Sequence, residues 1–292
     1  MANPLSADAL VAALKAEGVT VVEHSGWRTH NRNHKGSWGP VNGVIIHHTV
    51  TSGTSNSVSL CFNGHSALPG PLCHGVIAKD GTVHLVGNGR ANHAGSGDGD
   101  VLRAVAAESA TLPPPNENDT DGNVHFYGFE CVNLGDGKDP WPEVQLEAMV
   151  RASAALCRAH GWSAHSVIGH KEWTNTKIDP RGFTMADFRS RVATRLGRKP
   201  ATDSGSAKPT YQPFPGADWF RKQPRSAIVT AMGKRLVAVG CSAYTSGPGP
   251  QWTEADRLSY AKWQRKLGYT GSSADGWPGA KSWAALKVPY SS

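Results

Sequence analysis

The sequence predicts a mixed α/β domain, with helices packed on a central sheet, followed by a small helical bundle. Before residue 198, apolar patterns of strand period alternate with patterns of helical period, whereas after residue 216 the patterns are helical. Residues 198–216 are rich in Pro, Gly, Ser and Thr, which is typical of a linker. We therefore predict a first domain over residues 1–197 and a second over residues 217–292.

The first half of the first domain combines a helix with three strands. Ser6 can cap a helix that ends at Gly18. The segment "VNGVIIHHT" predicts a buried strand. The segment "HGVIAKDGTVHLVG" predicts a hairpin that turns at Asp80 and Gly81, because Asp-Gly is a preferred hairpin turn.

The second half of the first domain begins after a long polar region, residues 90–123, which contains one short helical piece. Such loops either form the rim of a functional site or are mobile. "HFYGFECVNL" then predicts a strand, "PEVQLEAMVRASAALCRAHG" an amphipathic helix that ends at Gly161, and "SVIGH" a short strand. A capping box from Thr184 to Asp187 predicts the last helix.

The second domain is predicted to contain about three helices. An apolar stripe that includes Met232 and Leu236 indicates the first, and a capping box from Thr253 to Asp256 opens the second. Pro278 stands near the start of the last, short helix.

Charge is distributed unevenly along the chain, whose formal net charge is +7. Residues 1–197 hold 16 Lys and Arg against 18 Asp and Glu, whereas residues 211–292 hold 11 against 4. The near-neutral first domain has no basic stripe interleaved with aromatic residues, so nucleic acid is not an expected partner. The basic second domain suits an anionic polymer.

The sequence predicts neither a membrane span nor an export signal. No run approaches the roughly 18 apolar residues of a membrane span, so no membrane partner is expected. The start, "MANPLSADAL", has neither the basic nor the apolar region of a signal peptide, so we expect synthesis in the cytoplasm. The five cysteines are scattered and odd in number, which favours reduced thiols over a disulfide framework.

Three segments can bring imidazole and carboxylate groups together, since each combines such residues with a strand or the loop after it. They are "VIIHHT", "GFECVN" and "GHKEWTNTKIDP". Because side chains alternate along a strand, His47 and His48 must point to opposite faces, and only one can enter a shared site.

These segments, with "CHGVIAKDGTVHLVG" and "GRANHAG", resemble the type 2 family of N-acetylmuramoyl-L-alanine amidases, which includes phage endolysins and peptidoglycan recognition proteins. The resemblance covers roughly residues 40–185 in the family's order. It implies one zinc ion held by His47, His170 and Asp179. Three protein ligands leave one tetrahedral position open for water, as in a catalytic zinc site.

The resemblance also implies roles around the metal. Glu130 corresponds to the family's general base, and Lys177 to a lysine that stabilises the negative charge developing on the substrate. Asn92, His93 and Trp173 are predicted to bind substrate. Cys73 occupies a position where many members have tyrosine, so the sequence leaves open whether Glu130 carries more of the catalysis, activity is lower, or Cys73 is a fourth ligand.

The predicted function is therefore zinc-dependent hydrolysis of the amide between N-acetylmuramic acid and L-alanine in bacterial peptidoglycan. "KWQRKLGYTGSSADGWPGAKSWAAL" is similar to peptidoglycan-binding modules. Together with the lack of a signal peptide, such a module implies a phage endolysin that is made in the host cytoplasm and acts on the wall. We also expect a monomer, with anionic wall polymers as further partners. The alternatives are a peptidoglycan recognition protein without catalysis and a zinc peptidase that cuts within the stem peptide.

Overall fold

The structure, a computed structural model, describes residues 2–198 and 211–290. The chain divides into two compact units, one within residues 1–203 and one within residues 204–292. The predicted linker, residues 198–216, lies largely outside the described residues, so its boundaries stay a prediction. Among the described helices, none is both long enough and apolar enough to cross a bilayer.

The first unit alternates short strands with helices in its described part. Its helices are α1 (Ala7–Ala16), α2 (Thr54–Asn63), α3 (Gly99–Ala106), α4 (Gly122–His125), α5 (Glu143–His160), α6 (His170–Trp173) and α7 (Met185–Leu196). Its strands are β1 (Val21–Glu23), β2 (Gly43–His48), β3 (Gly64–His65), β4 (Leu68–Pro69), β5 (Gly75–Ile77), β6 (Val83–Leu85), β7 (Ser96–Gly97), β8 (Thr120–Asp121), β9 (Phe126–Cys131) and β10 (Val167–Gly169).

Six strands form one mixed sheet in the order β1-β6-β5-β9-β2-β10. β5, β9, β2 and β10 run parallel, and β6 pairs antiparallel with β5. Because the carboxyl ends of parallel strands share one edge of the sheet, side chains at the ends of β9, β2 and β10 are brought together. The register places His47 directly beside Glu130.

Helices cover both faces of this sheet. On one face, α1, α5 and α7 pack on a core that includes Leu10, Phe129, Met149 and Phe188. On the other face, α2 lies over a smaller apolar cluster that includes Val76, and further apolar residues pack beside α3 and α6. The predicted fold class, a central sheet flanked by helices, is confirmed.

Local signals in the sequence account for several element boundaries. The Ser6 hydroxyl accepts a hydrogen bond from the Ala9 N–H at 3.2 Å and so caps α1. The β5–β6 hairpin turns at Gly81, whose φ of +85° suits glycine, and the Asp80 carboxylate accepts the Thr82 N–H at 2.9 Å. The predicted cap of α1 and the predicted hairpin are both confirmed.

The long polar region before β9 holds more structure than its sequence predicts. It contains α3, which was predicted as one helical piece, and also the two-residue strands β7 and β8, which pair with each other. Asp98 organises the region, because its carboxylate accepts backbone N–H groups of Asp100 and Val101 in the first turn of α3, and those of Asn116 and Glu117 in the loop that follows the helix. One buried carboxylate therefore ties the start of α3 to a distant loop.

The second unit is helical in its described part, with a core rich in aromatic residues. Its helices are α8 (Ala217–Arg221), α9 (Ala227–Ala238), α10 (Glu254–Lys266) and α11 (Ala280–Leu286). The predicted capping box is present, since the Thr253 N–H donates to the Asp256 carboxylate at 2.8 Å. The prediction of about three helices missed α8, which is short but buries Phe220 completely against Trp252 and Trp283.

Candidate metal centre

Three side chains converge at the carboxyl edge of the sheet. The Nδ1 atom of His47 lies 3.0 Å from the Nδ1 atom of His170 and 3.1 Å from Oδ2 of Asp179. Nδ1 of His170 lies 3.2 Å from the same oxygen. All three residues are buried. These are the three residues that the sequence predicts as metal ligands, and the fold brings them together although up to 132 positions separate them.

Each residue of this triad is placed by a different element. His47 is near the end of β2, and His170 begins α6 directly after the adjacent strand β10. Asp179 belongs to the loop after α6, which folds back because the Lys171 N–H donates to the Asp179 carbonyl at 2.8 Å. The Lys171 ammonium also donates to the Pro180 carbonyl at 2.7 Å. These contacts hold the carboxylate against the two imidazoles.

The geometry and donor set of the triad fit a divalent transition metal such as zinc. Ligand atoms at about 2.0–2.1 Å from a tetrahedral zinc ion are about 3.3 Å apart, close to the separations among these three atoms. The other ring nitrogen of His170 donates to the Ala94 carbonyl at 3.2 Å, which leaves Nδ1 with a free lone pair. Two imidazoles and a carboxylate are suitable zinc ligands.

The surroundings keep this donor set in its metal-binding form. Burial, together with His170, lowers the pKa of His47 to about 4, so its imidazole is neutral at pH 7. Burial by itself would raise the pKa of Asp179, but the N–H groups and positive charge that His170 and His47 present to the carboxylate when protonated outweigh burial and hold the pKa below its usual range. A neutral imidazole and an ionised carboxylate are the states that bind a metal.

Glu130 lies beside the triad in an unusual environment. It neighbours His47 across the β2–β9 pairing, and its Oε2 atom is buried without a hydrogen-bond partner. Burial and the charge of Asp179 raise the pKa of the Glu130 carboxyl to about 8, although Lys177 acts in the opposite direction. A carboxyl group with a raised pKa and an unused oxygen is suited to proton transfer.

A cleft of about 230 Å³ reaches the triad at His170, which lines it together with Lys177. Lys177 is exposed in the loop that carries Asp179, and its role in stabilising charge on the substrate stays a prediction. A larger cavity of about 620 Å³ lies near α2 and is lined by His24 and His84, but no group of three potential metal ligands borders it in the described chain. The smaller cleft is therefore the candidate active site.

The three residues predicted to bind substrate have different positions. Asn92 is half-buried and borders the cleft, so its predicted role stays a prediction. His93 also borders the cleft, but both of its ring nitrogens are bonded inside the protein, to His47 and to the Phe126 carbonyl, each at 3.1 Å. Its imidazole therefore has no free nitrogen for a substrate.

The prediction that Trp173 binds substrate is wrong, because the residue is fully buried. Its indole packs edge-on against Phe126, and its N–H donates to the Ala94 carbonyl at 3.1 Å. Gly97 and Gly122 leave the space that this ring fills. Trp173 therefore packs against the backbone at Ala94, directly after His93, and does not line the cleft.

The two neighbouring histidines of β2 point to opposite faces, as strand alternation predicts. His48 lies on the far side from the triad, where its Nδ1 accepts the Arg181 N–H at 3.4 Å. Gly135 makes room for this ring, since a Cβ at that position would lie 2.4 Å from Nε2 of His48. His47, and not His48, joins the triad.

Cys73 lies in the apolar cluster under α2 together with Cys61. Burial raises the pKa of the Cys73 thiol, and the neighbouring Cys61 raises it further. No cysteine in the described part of the chain joins the three converging ligand atoms, which leaves the interpretation of Cys73 as a fourth ligand without support.

Asn123 was missed by sequence reasoning. It is buried at the start of the segment before β9, and its side-chain oxygen accepts the N–H groups of His93 and Ala94 at 3.0 and 2.8 Å. Its contacts are with the backbone of a distant loop, so its local sequence carries no signal. Gly128 in β9 was also missed, although a Cβ at this position would lie 2.4 Å from Nδ1 of His93. Its sequence does carry a signal, because a glycine inside a strand indicates that another group approaches closely.

Comparison with known protein families matches the stretch of chain that carries the site. Residues 37–182 match the sequence profile of a family described as N-acetylmuramoyl-L-alanine amidase. This stretch contains every residue of the triad, together with Glu130 and Lys177. No individual curated protein matches the chain.

Similar solved structures include several amidases. The endolysin N-acetylmuramoyl-L-alanine amidase LysCS from Clostridium intestinale URNW is 14% identical, with a TM-score of 0.39, and the match covers 60% of this chain and 94% of that chain. The Staphylococcus aureus hydrolase AmiA is 12% identical, with a TM-score of 0.41 and coverage of 66% and 93%. The N-acetylmuramyl-L-alanine amidase AmiD from E. coli is 13% identical, with a TM-score of 0.39 and coverage of 88% and 91%.

Proposed function

Because this chain belongs to the N-acetylmuramoyl-L-alanine amidase family, we propose that its first unit hydrolyses the amide between N-acetylmuramic acid and L-alanine with the help of one zinc ion. The observation that carries this proposal is the triad, whose three ligand atoms lie within 3.2 Å of one another beside an open cleft. A protein that only recognised peptidoglycan would have no need for such a group.

The residues around the triad suit amide hydrolysis. A bound zinc ion would supply Lewis-acid activation of the amide carbonyl and of water. The Glu130 carboxylate accepts the proton of the attacking water and passes it to the departing amine of L-alanine, for which its unused Oε2 is available. The Lys177 ammonium, at the border of the cleft, stabilises the negative charge that develops on the amide oxygen.

Digestion of purified peptidoglycan tests this proposal directly. The full chain is incubated with peptidoglycan, with and without a chelator, and the products are identified by mass spectrometry. Release of peptides that begin with a free L-alanine amine, only without chelator, is the expected result. Fragments cut within the stem peptide would instead identify a peptidase, and an absence of cleavage with zinc present would indicate a recognition protein.

We also propose that the second unit binds anionic polymers of the bacterial wall. Residues 211–292 hold 11 basic and 4 acidic side chains. Two of the acidic side chains already have partners within the described part of this unit. Glu254 forms an ion pair with Arg257, and the carboxylate of Asp256 accepts hydrogen bonds from Thr253 in the cap of α10. Most of its positive charge is therefore uncompensated, and such a surface attracts polyanions.

Binding of the full chain to purified walls tests this second proposal. Affinity should fall steeply with salt, and the reversals Lys222→Glu and Lys234→Glu should weaken binding while the matched changes to Arg leave it unchanged. Both lysines are exposed in the second unit. Binding that is insensitive to salt and to these reversals would contradict the proposal.

We propose further that the protein is a monomeric phage endolysin, made in the host cytoplasm and admitted to the wall by a separate protein that opens the membrane. The combination of an amidase-family unit with a strongly basic unit supports this role. Expression inside a bacterial host should cause lysis only when a membrane-permeabilising protein is present, and light scattering should give the mass of one chain. Lysis without that partner, or a stable dimer, would contradict this.

A further inference from the structure

His47 and His93 form a hydrogen-bonded pair that ends at the backbone of the sheet. Nε2 of His47 lies 3.1 Å from Nδ1 of His93, and Nε2 of His93 lies 3.1 Å from the carbonyl oxygen of Phe126. The two rings stand nearly perpendicular, at 85°. Phe126 begins β9, the strand next to β2, so the pair is anchored at both ends in the sheet.

The carbonyl at the end of this pair decides where the hydrogens are. A carbonyl oxygen only accepts, so Nε2 of His93 must carry a hydrogen. In a neutral imidazole the other nitrogen is then an acceptor, so Nδ1 of His93 accepts from Nε2 of His47. His47 consequently carries its hydrogen on Nε2, and its Nδ1 lone pair points toward His170 and Asp179.

If the hydrogen bond ran the other way, from Nδ1 of His93 to Nε2 of His47, both ring nitrogens of His93 would need a hydrogen. That imidazolium would be buried beside the rings of His47 and His74, whose centroids lie 5.3 and 5.5 Å away. No carboxylate is hydrogen-bonded to either nitrogen of His93 to compensate such a charge. A buried, unpaired charge is strongly disfavoured, which leaves the neutral ring and the first direction.

The protein is shaped to hold this ring in place. A Cβ at position 128 would lie 2.4 Å from Nδ1 of His93, so the glycine of β9 is what admits the imidazole. The Asn123 side chain accepts the backbone N–H of His93 at 3.0 Å and fixes the loop that carries it. The ring therefore cannot turn toward the cleft without losing both of its hydrogen bonds.

We propose that His93 is a positioning residue that fixes the tautomer of His47, so that His47 offers Nδ1 to the metal. His170 obtains the same result more directly, from the Ala94 carbonyl. This inference rests on the proposed metal site and adds to it the reason that one of its ligands is oriented correctly. Loss of such an outer partner typically weakens metal binding about 10- to 100-fold.

A matched pair of variants tests the proposal in the full chain. In His93→Asn the amide oxygen stands two bonds from Cβ, as Nδ1 does, and can accept from His47, whereas His93→Leu has the same branching without an acceptor. Zinc affinity is measured by competition with a chromophoric chelator. The Asn variant should bind within about threefold of the natural protein, and the Leu variant about 10- to 100-fold more weakly.

The nitrogen NMR signals of His47 in metal-free protein give a second readout. They should report a hydrogen on Nε2 in the natural protein and in the Asn variant, and a mixture of tautomers in the Leu variant. Equal zinc affinity in both variants would overturn the proposal, and so would a natural protein that does not bind zinc. Zinc binding with the expected difference, but without cleavage of the amide bond, would support the role of His93 and refute the proposed reaction.

Discussion

The buried carboxyl group of Glu130 should make the metal-free protein less stable as pH rises. The substitution Glu130→Gln keeps the shape of this side chain and removes its ionisation. The pKa of Glu130 is about 8 in the folded protein, against 4.5 for an unperturbed glutamate. At about 1.4 kcal/mol for each pKa unit, this difference corresponds to an upper limit of about 5 kcal/mol.

The sign follows from which state binds the proton. Well below pH 4.5 the carboxyl is neutral in both states and contributes nothing to the difference. Between pH 4.5 and about 8 the unfolded chain loses its proton while the folded chain keeps it, so the free energy of unfolding falls. Above about pH 8 both states are ionised and the loss is complete.

Urea unfolding of both proteins in chelator, from acid to mildly alkaline pH, measures this effect. The glutamine variant should gain stability over the natural protein as pH rises, by up to about 5 kcal/mol. Glu143→Gln is the matched control: Glu143 is exposed at the start of α5, where it pairs with Arg191 at the surface, so its substitution should change the pH dependence by less than about 1 kcal/mol. Parallel profiles for the natural protein and Glu130→Gln would refute the reasoning.

Three further predictions concern the triad, the substrate and the fold. His47→Ala should lower zinc affinity more than about 100-fold, as measured by chelator competition, whereas His48→Ala should change it less than about threefold, because His48 is on the opposite face; similar losses would contradict the assigned faces. Lys177→Ala should reduce kcat about 100-fold on peptidoglycan fragments and leave zinc affinity unchanged, since the ammonium lines the cleft and is proposed to act on the substrate; an unchanged kcat would exclude that role. Asp98→Ala should lower the free energy of unfolding by about 2–4 kcal/mol in urea titrations, because it leaves several backbone N–H groups without their acceptor; a loss under about 0.5 kcal/mol would show that water replaces the carboxylate.

Much of the fold could be predicted because its signals are local. The caps at Ser6 and Thr184, the turn at Gly81 and the alternation along β2 each depend on a few neighbouring residues. The pair β7–β8 could not be predicted in this way, because each strand has two residues and is stabilised by its distant partner. The same holds for α8, a helix of five residues whose stability depends on the burial of Phe220.

For the candidate site, the sequence by itself predicted the three residues that converge and the side of the strand on which His47 lies. His47, His170 and Asp179 stand in ordered motifs, and the period of a strand separates His47 from His48. Only the tertiary structure decided what His93 and Trp173 contact. Both occur in polar segments without periodicity, so their neighbours depend on where the chain returns after long loops. Trp173 is buried beneath such a loop, and His93 meets His47 behind the triad.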